Sequence, residues 1–242
     1  MRIALISDLH ANLVALTAVL ADIDRSHVDR LICLGDVATL GAHPNEILRL
    51  LRERGCPCIM GNHDEFLLDP KLVEQYPSPP IVAQAIDWCR ARLSDEELAF
   101  LRTFAAGLEI ALDEHNTLLL FHGSPRSHLE DLLATTPPDE LDRLLAGRTA
   151  TVMAGGHTHL QMLRQHRGSL LVNPGSVGAP FEIFAEHQAP TLLPHAEYAI
   201  VACERGVVSV ELKRVPLDKQ ALRDAAAASD NPLSPFLLQQ YA

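Results

Sequence analysis

Five short apolar runs in this chain end alike, each breaking off into a cluster of Asp, His, Asn or Gly. I-A-L-I-S runs into Asp8-Leu9-His10, and L-I-C-L runs into Gly35-Asp36. C-I-M runs into Gly61-Asn62-His63-Asp64, L-L-L-F into His122-Gly123, and T-V-M-A into Gly155-Gly156-His157-Thr158-His159. Runs of this length bounded by turn-forming residues read as strands, here Arg2–Ser7, Arg30–Leu34 and Cys56–Met60 for the first three. Helical patterns separate them. Asn12–Asp24 places Leu13, Leu16, Ala18, Leu20 and Ile23 on one face, with Asn12 as its cap. Pro44–Arg54 opens on a proline and stops at Gly55. Strands alternating with helices imply βαβ units and a largely parallel sheet. Open α/β sheets carry their ligands at the carboxyl ends of the strands. Three Asp, one Asn and five His are thereby expected beside one cleft.

The rest of the chain is less regular. Residues 65–106 hold Pro70, Pro77, Pro79 and Pro80, then two helical stretches at Ile81–Arg92 and Asp95–Phe104, a helical excursion beside the sheet. Strands resume at Thr117–Phe121 and Thr151–Ala154, with a helix near Pro138–Leu145 between them. Gln161–Gln165 and Ser169–Val172 read as a hairpin turned at Arg167-Gly168, and Tyr198–Cys203 with Val207–Lys213 as a second turned at Arg205-Gly206. Asp218–Ala228 reads as a helix, Asn231–Pro235 as a loop, and the last residues as a docking tail. With no repeat and no low-complexity linker, one domain over 1–242 is expected, with additions at about 65–106 and 216–242.

Composition narrows the function classes. A net charge of −11 disfavours nonspecific binding to nucleic acid or anionic lipid, though a metal site can reverse the local field. No apolar run approaches membrane-spanning length. Met1–Ser7 leads directly into Asp8 and lacks the parts of a secretory signal. A cytoplasmic protein without a membrane partner is therefore expected. The five cysteines, Cys33, Cys56, Cys58, Cys89 and Cys203, are odd in number and several lie inside apolar runs, so reduced, buried thiols are expected rather than disulfides or a metal pair.

The polar clusters carry metal chemistry. Imidazole suits zinc, iron, nickel and copper, and carboxylate and amide oxygens suit manganese and iron. No thiolate joins the set, so this is not a structural zinc site. With His63 and Asp64 set aside, seven candidates remain: Asp8, His10, Asp36, Asn62, His122, His157 and His159. Seven ligands exceed what one transition metal takes, and they suit two metals sharing a carboxylate. Two divalent ions bring four positive charges against two from the aspartates and one from a bridging hydroxide. The residual positive charge draws a phosphate. Paired metals at ~3.5–4 Å supply hydroxide at neutral pH and clamp the oxygens of an in-line displacement.

The ordered blocks D-x-H, G-D, G-N-H-D, H and G-H-x-H, over roughly Met1–Pro180, resemble the calcineurin-like metallophosphoesterase superfamily. Further similarity lies in Gly41–Glu46 (G-A-H-P-N-E), His122–Pro125 (H-G-S-P) and Asn173–Gly178 (N-P-G-S-V-G), which resemble its small prokaryotic branch of phosphodiesterases, phosphatases and some dinucleoside-polyphosphate hydrolases. The resemblance implies a four-layered α/β sandwich, two mixed β-sheets face to face flanked by helices. It implies one metal on Asp8, His10, Asp36 and His159, and another on Asp36, Asn62, His122 and His157, with Asp36 bridging. It implies that His63 stabilises the phosphoryl group or protonates the leaving oxygen, with Asp64 orienting His63. Mn, Fe, Zn and Ni are the candidate metals, Mn favoured, and the partner is a small phosphorylated substrate. Leu40 stands where the family often has an aromatic, and His43 where it varies. Both differences touch substrate preference rather than metal binding.

Other residues are given plain roles. Arg126 after H-G-S-P is a candidate contact to a substrate phosphate, with a surface arginine as the alternative. His27, His43, His115, His128, His166, His187 and His195 are taken as solvated, and Trp88 as packing. Ser124 and Ser176 resemble no serine nucleophile. Residues 65–106 and 180–194 are expected to shape the cleft. A protein phosphatase remains an alternative enzyme. From another class, the alternative is a non-catalytic interaction module, as in a retromer subunit of similar fold, and the complete ligand set argues against it. The apolar tail at Phe236, Leu237 and Leu238 is a candidate homo-oligomer interface.

Overall fold

Ile3 and Leu5 leave the first strand on one side, Ala4 and Ile6 on the other, and both sides are fully buried. A strand buried on both faces belongs inside a layered structure. The computed structural model describes residues 1–76, 79–184 and 189–242, so Pro77 and His187, named above, lie outside the described residues. The first half comprises β1 (Arg2–Ile6), α1 (Leu13–Arg25), β2 (Arg30–Cys33), α2 (Pro44–Glu53), α3 (Asn62–Leu68), a 3-10 turn at Pro70–Gln75, α4 (Pro80–Arg90) and α5 (Asp95–Leu101). There follow β3 (Leu108–Ala111), β4 (Thr117–Leu120), α6 (Pro138–Leu145), β5 (Val152–Ala154), β6 (Met162–His166) and β7 (Ser169–Asn173). The chain closes with β8 (His195–Glu204), β9 (Val207–Pro216), α7 (Lys219–Ala228) and α8 (Ser234–Gln240).

The strands form two mixed sheets, ordered β2-β1-β8-β9 and β3-β4-β5-β7-β6. Period-two alternation builds the layers. Ile3 and Leu5 of β1, Ile32 of β2 and Val201 of β8 meet Leu118 and Leu120 of β4 and Val152 of β5 between the sheets. Ala4 and Ile6 face outward onto Leu16, Val19, Leu20, Ile47 and Leu51 of α1 and α2. On the far side Leu119, Phe121 and Met153 face Leu141 and Leu145 of α6. Each such leucine contributes about 1.5–3 kcal/mol by burial. The order helix, sheet, sheet, helix is the four-layered sandwich expected.

Two features aim this scaffold at one place. β1 runs parallel to β2, and β4 parallel to β5, so each pair ends on one edge of its sheet. The pairing of the first two continues past the strands: Asp8, His10 and Ala11 donate backbone N–H bonds to Gly35, Asp36 and Val37 at 2.9, 3.0 and 2.8 Å. The sheets are tied together there, because His122 Nδ1 lies 2.7 Å from the Leu34 carbonyl.

Local expectations fared unevenly. Asn12 caps α1, accepting from Ala15 N at 3.1 Å. Both hairpins turn where expected, with Arg167 and Gly168 at φ 48° and 86° and Arg205 and Gly206 at 51° and 79°, the positive values a two-residue turn needs. All five cysteines are free and buried. Cys56–Met60 is not a full strand. It makes single bridges, Cys58 to Cys33 and Ile59 to Ala105, and Pro57 has no N–H to extend a ladder. Strand β3 and helix α3 had no expected counterpart. The loop expected at Asn231–Pro235 gives way to α8 at Ser234, since proline fits a helix's first turn. Among the described residues no helix is long and apolar enough to cross a membrane.

Candidate metal centre

The backbone at the strand ends is strained. Asp8, His10, Asp36, His157 and His159 all have positive φ, between 45° and 68°. For residues other than glycine this left-handed region costs of order 1–3 kcal/mol each and clusters at functional sites. The strain turns consecutive side chains into one cleft. Two glycines give the room: a Cβ on Gly61 would meet Asp36 Oδ1 at 2.1 Å, and one on Gly156 would meet Ser7 Oγ at 1.9 Å and Asp8 Oδ2 at 2.7 Å.

Two trios result. Asp8, His10 and His159 bring one ligand atom each within 4.8 Å of one another, and so do Asp36, His122 and His157. His159 Nε2 is 3.5 Å from Asp8 Oδ1 and 3.1 Å from His10 Nε2. His122 Nε2 is 3.5 Å from Asp36 Oδ2 and 3.2 Å from Asn62 Oδ1. Asp36 Oδ2 is also 3.9 Å from His10 Nε2, so one carboxylate oxygen faces both trios. Its Oδ1 is held by the backbone N–H of His63 at 2.9 Å.

These donors fit divalent cations. Carbonyls only accept, so His122 Nδ1 donates to Leu34, and His159 Nδ1 donates to Ala179 at 2.6 Å. His159 Nε2 then offers a lone pair to the cleft, the second-partner arrangement seen in metal-binding histidines. Lone pair faces carboxylate there, and Asp8 Oδ1 is buried without a hydrogen-bond partner. Such a group is costly to leave unsatisfied, and a cation there removes the cost. Nitrogen and oxygen donors without thiolate suit Mn, Fe, Zn or Ni.

The electrostatics point the same way. Burial works against a charge on His122, yet the Asp36 and Asp8 carboxylates lift its pKa to about 9. That trio attracts positive charge, whether proton or metal. Burial opposes the charged form of Asp36 too, but His122 and His63 beside it hold its carboxyl well below the ordinary range. Burial, then His159, keeps His10 well below the ordinary histidine range. Burial, then His122, lowers His157 to about 3. Neutral imidazole is the form that binds metal.

His63 sits at the same cleft, edge-on to His10 with ring centroids 5.0 Å apart. Asp64 does not orient it, which corrects the expectation. Asp64 is the third residue of α3, so its carboxylate turns back to accept from Gly61 N at 3.0 Å and across to Asp36 N and Val37 N at 2.8 and 2.9 Å. It braces the loop carrying Asp36; burial and the Asp36 charge raise its pKa to about 7. The partner of His63 Nδ1 is Thr39 Oγ1 at 3.2 Å.

Two neighbours had no recognisable sequence signal: Thr39 lies on the loop after Asp36, and Asp131 Oδ1 is 3.4 Å from His157 Nε2. Phe181, in the 180–194 stretch expected to shape the cleft, stacks on His159 at 4.2 Å. Arg126, the candidate phosphate contact, is paired with Glu130 at 2.7 Å, on a half-exposed side chain. The histidines taken as solvated divide. His27 and His115 are exposed. His128, His166 and His195 instead pair with Glu65, Asp142 and Glu197 at 2.7, 2.8 and 3.1 Å, and His166 is buried. Trp88 packs under Arg92, whose guanidinium lies 3.6 Å from the ring centroid.

Comparison with known proteins identifies the family. An uncharacterised protein of Methanocaldococcus jannaschii is 30% identical over 196 residues, 74% of this chain and 76% of its own. The crystal structure of a metallophosphoesterase from Sphaerobacter thermophilus superposes with a TM-score of 0.75 at 26% identity, covering 100% of this chain and 98% of that one. A hypothetical protein of Pyrococcus horikoshii shares the fold at a TM-score of 0.81 and 19% identity, covering 98% and 96%. Residues 1–204 match the calcineurin-like phosphoesterase superfamily domain, and the chain therefore belongs to that superfamily.

Proposed function

We propose that this protein hydrolyses phosphate esters of small molecules with two divalent cations, Mn²⁺ foremost. One is held by Asp8, His10, Asp36 and His159, the other by Asp36, Asn62, His122 and His157. The observation that carries this is Asp36 Oδ2, which faces His10 of one trio and His122 of the other. When bound, paired cations acidify water and neutralise charge on the phosphoryl oxygens.

The protein's own residues do the rest. Asp8, His10, Asp36, His157 and His159 are fixed by strained backbone, so little reorganisation accompanies reaction. Asp64 holds the Asp36 loop by three backbone bonds. His63, 9% exposed at the edge of the cluster, gives a proton to the leaving oxygen. Burial lowers the pKa of His63, while the Asp36 carboxylate favours the charged ring.

Metal-stripped protein refilled with Mn²⁺ and offered bis-p-nitrophenyl phosphate and p-nitrophenyl phosphate tests the reading. Hydrolysis that appears with Mn²⁺ and vanishes with chelator is expected. Preference for the first ester identifies a phosphodiesterase, and preference for the second a phosphatase. Two bound cations with no hydrolysis of these or of a dinucleoside polyphosphate would contradict it and favour a non-catalytic interaction module.

A further inference from the structure

Thr39 touches two histidines with different tasks. Its Oγ1 lies 3.1 Å from His10 Nδ1 and 3.2 Å from His63 Nδ1, and the residue is completely buried. A hydroxyl has one proton, and a neutral imidazole has one donor and one acceptor nitrogen. If both rings donated to Thr39, its own proton would need another acceptor, and among the described residues none is within reach. A buried donor without a partner costs about 1–3 kcal/mol. The row His10–Thr39–His63 is therefore ordered in one of two directions.

The contact between His10 Nε2 and His159 Nε2 decides which. They are 3.1 Å apart, and His159 has given its proton to Ala179 from Nδ1. Without a cation, His10 donates from Nε2 to His159. Its Nδ1 then accepts from Thr39, Thr39 accepts from His63 Nδ1, and His63 Nε2 is left with a lone pair. With a cation held by His10 Nε2, that nitrogen supplies its lone pair and the ring proton sits on Nδ1. Thr39 now accepts from His10 and donates to His63 Nδ1, and His63 carries its proton on Nε2. Each ring and the hydroxyl keep one proton throughout. His10 Nε2 releases a proton to solvent, solvent supplies one to His63 Nε2, and the two between shift along the row.

We propose that Thr39 is a positioning residue that couples cation binding at Asp8, His10 and His159 to the tautomer of His63, giving His63 a transferable Nε2 proton only when the site is loaded. Only the use of that proton rests on the phosphoesterase reading; the coupling does not.

The test is histidine nitrogen NMR on the full chain, ring-labelled with ¹⁵N, metal-stripped and then loaded with diamagnetic Zn²⁺. In the wild type, His63 Nε2 is expected to change from an unprotonated to a protonated nitrogen on loading. Thr39→Val, which keeps the shape and removes the hydroxyl, is expected to abolish the change, and Thr39→Ser to restore it. At saturating Mn²⁺ the valine variant is expected to lose about 10²-fold in kcat on esters with poor leaving groups. A wild-type His63 tautomer indifferent to Zn²⁺, or a valine variant that still switches, overturns the proposal. If the valine variant fails to fold, the wild-type and serine spectra still decide. A switching tautomer in a protein that hydrolyses nothing would sink the phosphoesterase reading and leave the relay standing.

Discussion

Asp36→Asn is expected to leave the protein folded, remove most bound metal from both trios, and lower turnover by at least about 10³-fold. The substitution changes little in shape. The contact from His63 N to Oδ1 survives, because an amide oxygen also accepts. What changes is the atom facing the cleft. Oδ2, now 3.9 Å from His10 Nε2 and 3.5 Å from His122 Nε2, becomes either a nitrogen bearing protons or a neutral oxygen. Neither can be shared by two cations as a carboxylate is. A 10³-fold loss is about 4 kcal/mol of transition-state stabilisation at 1.36 kcal/mol per tenfold, within the several kcal/mol that metal ions supply. Elemental analysis, circular dichroism and the rate, read on one preparation, separate loss of metal from loss of fold. A variant holding two cations per chain would remove Asp36 from the shared position.

His63→Ala is expected to behave in the opposite way, keeping the metal while losing turnover. No distance ties His63 to a metal-facing oxygen through its ring; its backbone, not its imidazole, contacts Asp36. Deleting the ring thus spares both trios. A general acid supplies about 10²–10⁴-fold, and the loss is expected to be near the upper end for alkyl leaving groups. It is expected to be small for p-nitrophenolate, which departs without a proton. The ratio of kcat on the two ester types is the readout. An unchanged ratio would assign His63 a packing role between His10 and Phe66, whose ring lies 5.4 Å away.

The candidate ligands were legible because strand ends announce themselves. An apolar run that stops at Asp-x-His or Gly-Asp places its polar residues at a sheet edge whatever the rest of the chain does. Asp8, His10, Asp36, Asn62, His122, His157 and His159 are brought together by that rule alone. The sheets' layering followed from resemblance and not from the pattern, since Ile3–Ile6 reads alike for one sheet or two. What escaped detection depends on direction. Asp64 is next to His63 in sequence, yet the first turn of α3 sends its carboxylate toward backbone N–H groups of another loop. Thr39 and Asp131 carry no spacing that marks them, and only the folded loops bring them to His63 and His157. Cys56–Met60 has the composition of a strand, but its pairing is limited to single bridges with Cys33 and Ala105, and Pro57 brings no N–H to it. Left-handed backbone at five clustered residues is also invisible in sequence, because Asp and His tolerate it without requiring it.

In the function proposed, two cations held around one shared carboxylate make this protein a phosphoesterase. The most direct test of that reading is the rate of bis-p-nitrophenyl phosphate hydrolysis as metal-stripped protein is titrated with Mn²⁺, with bound metal counted at each point. No hydrolysis is expected in the metal-free protein, and the rate is expected to climb until two cations are bound per chain. Hydrolysis by metal-free protein, or a rate complete at one cation, would contradict that reading.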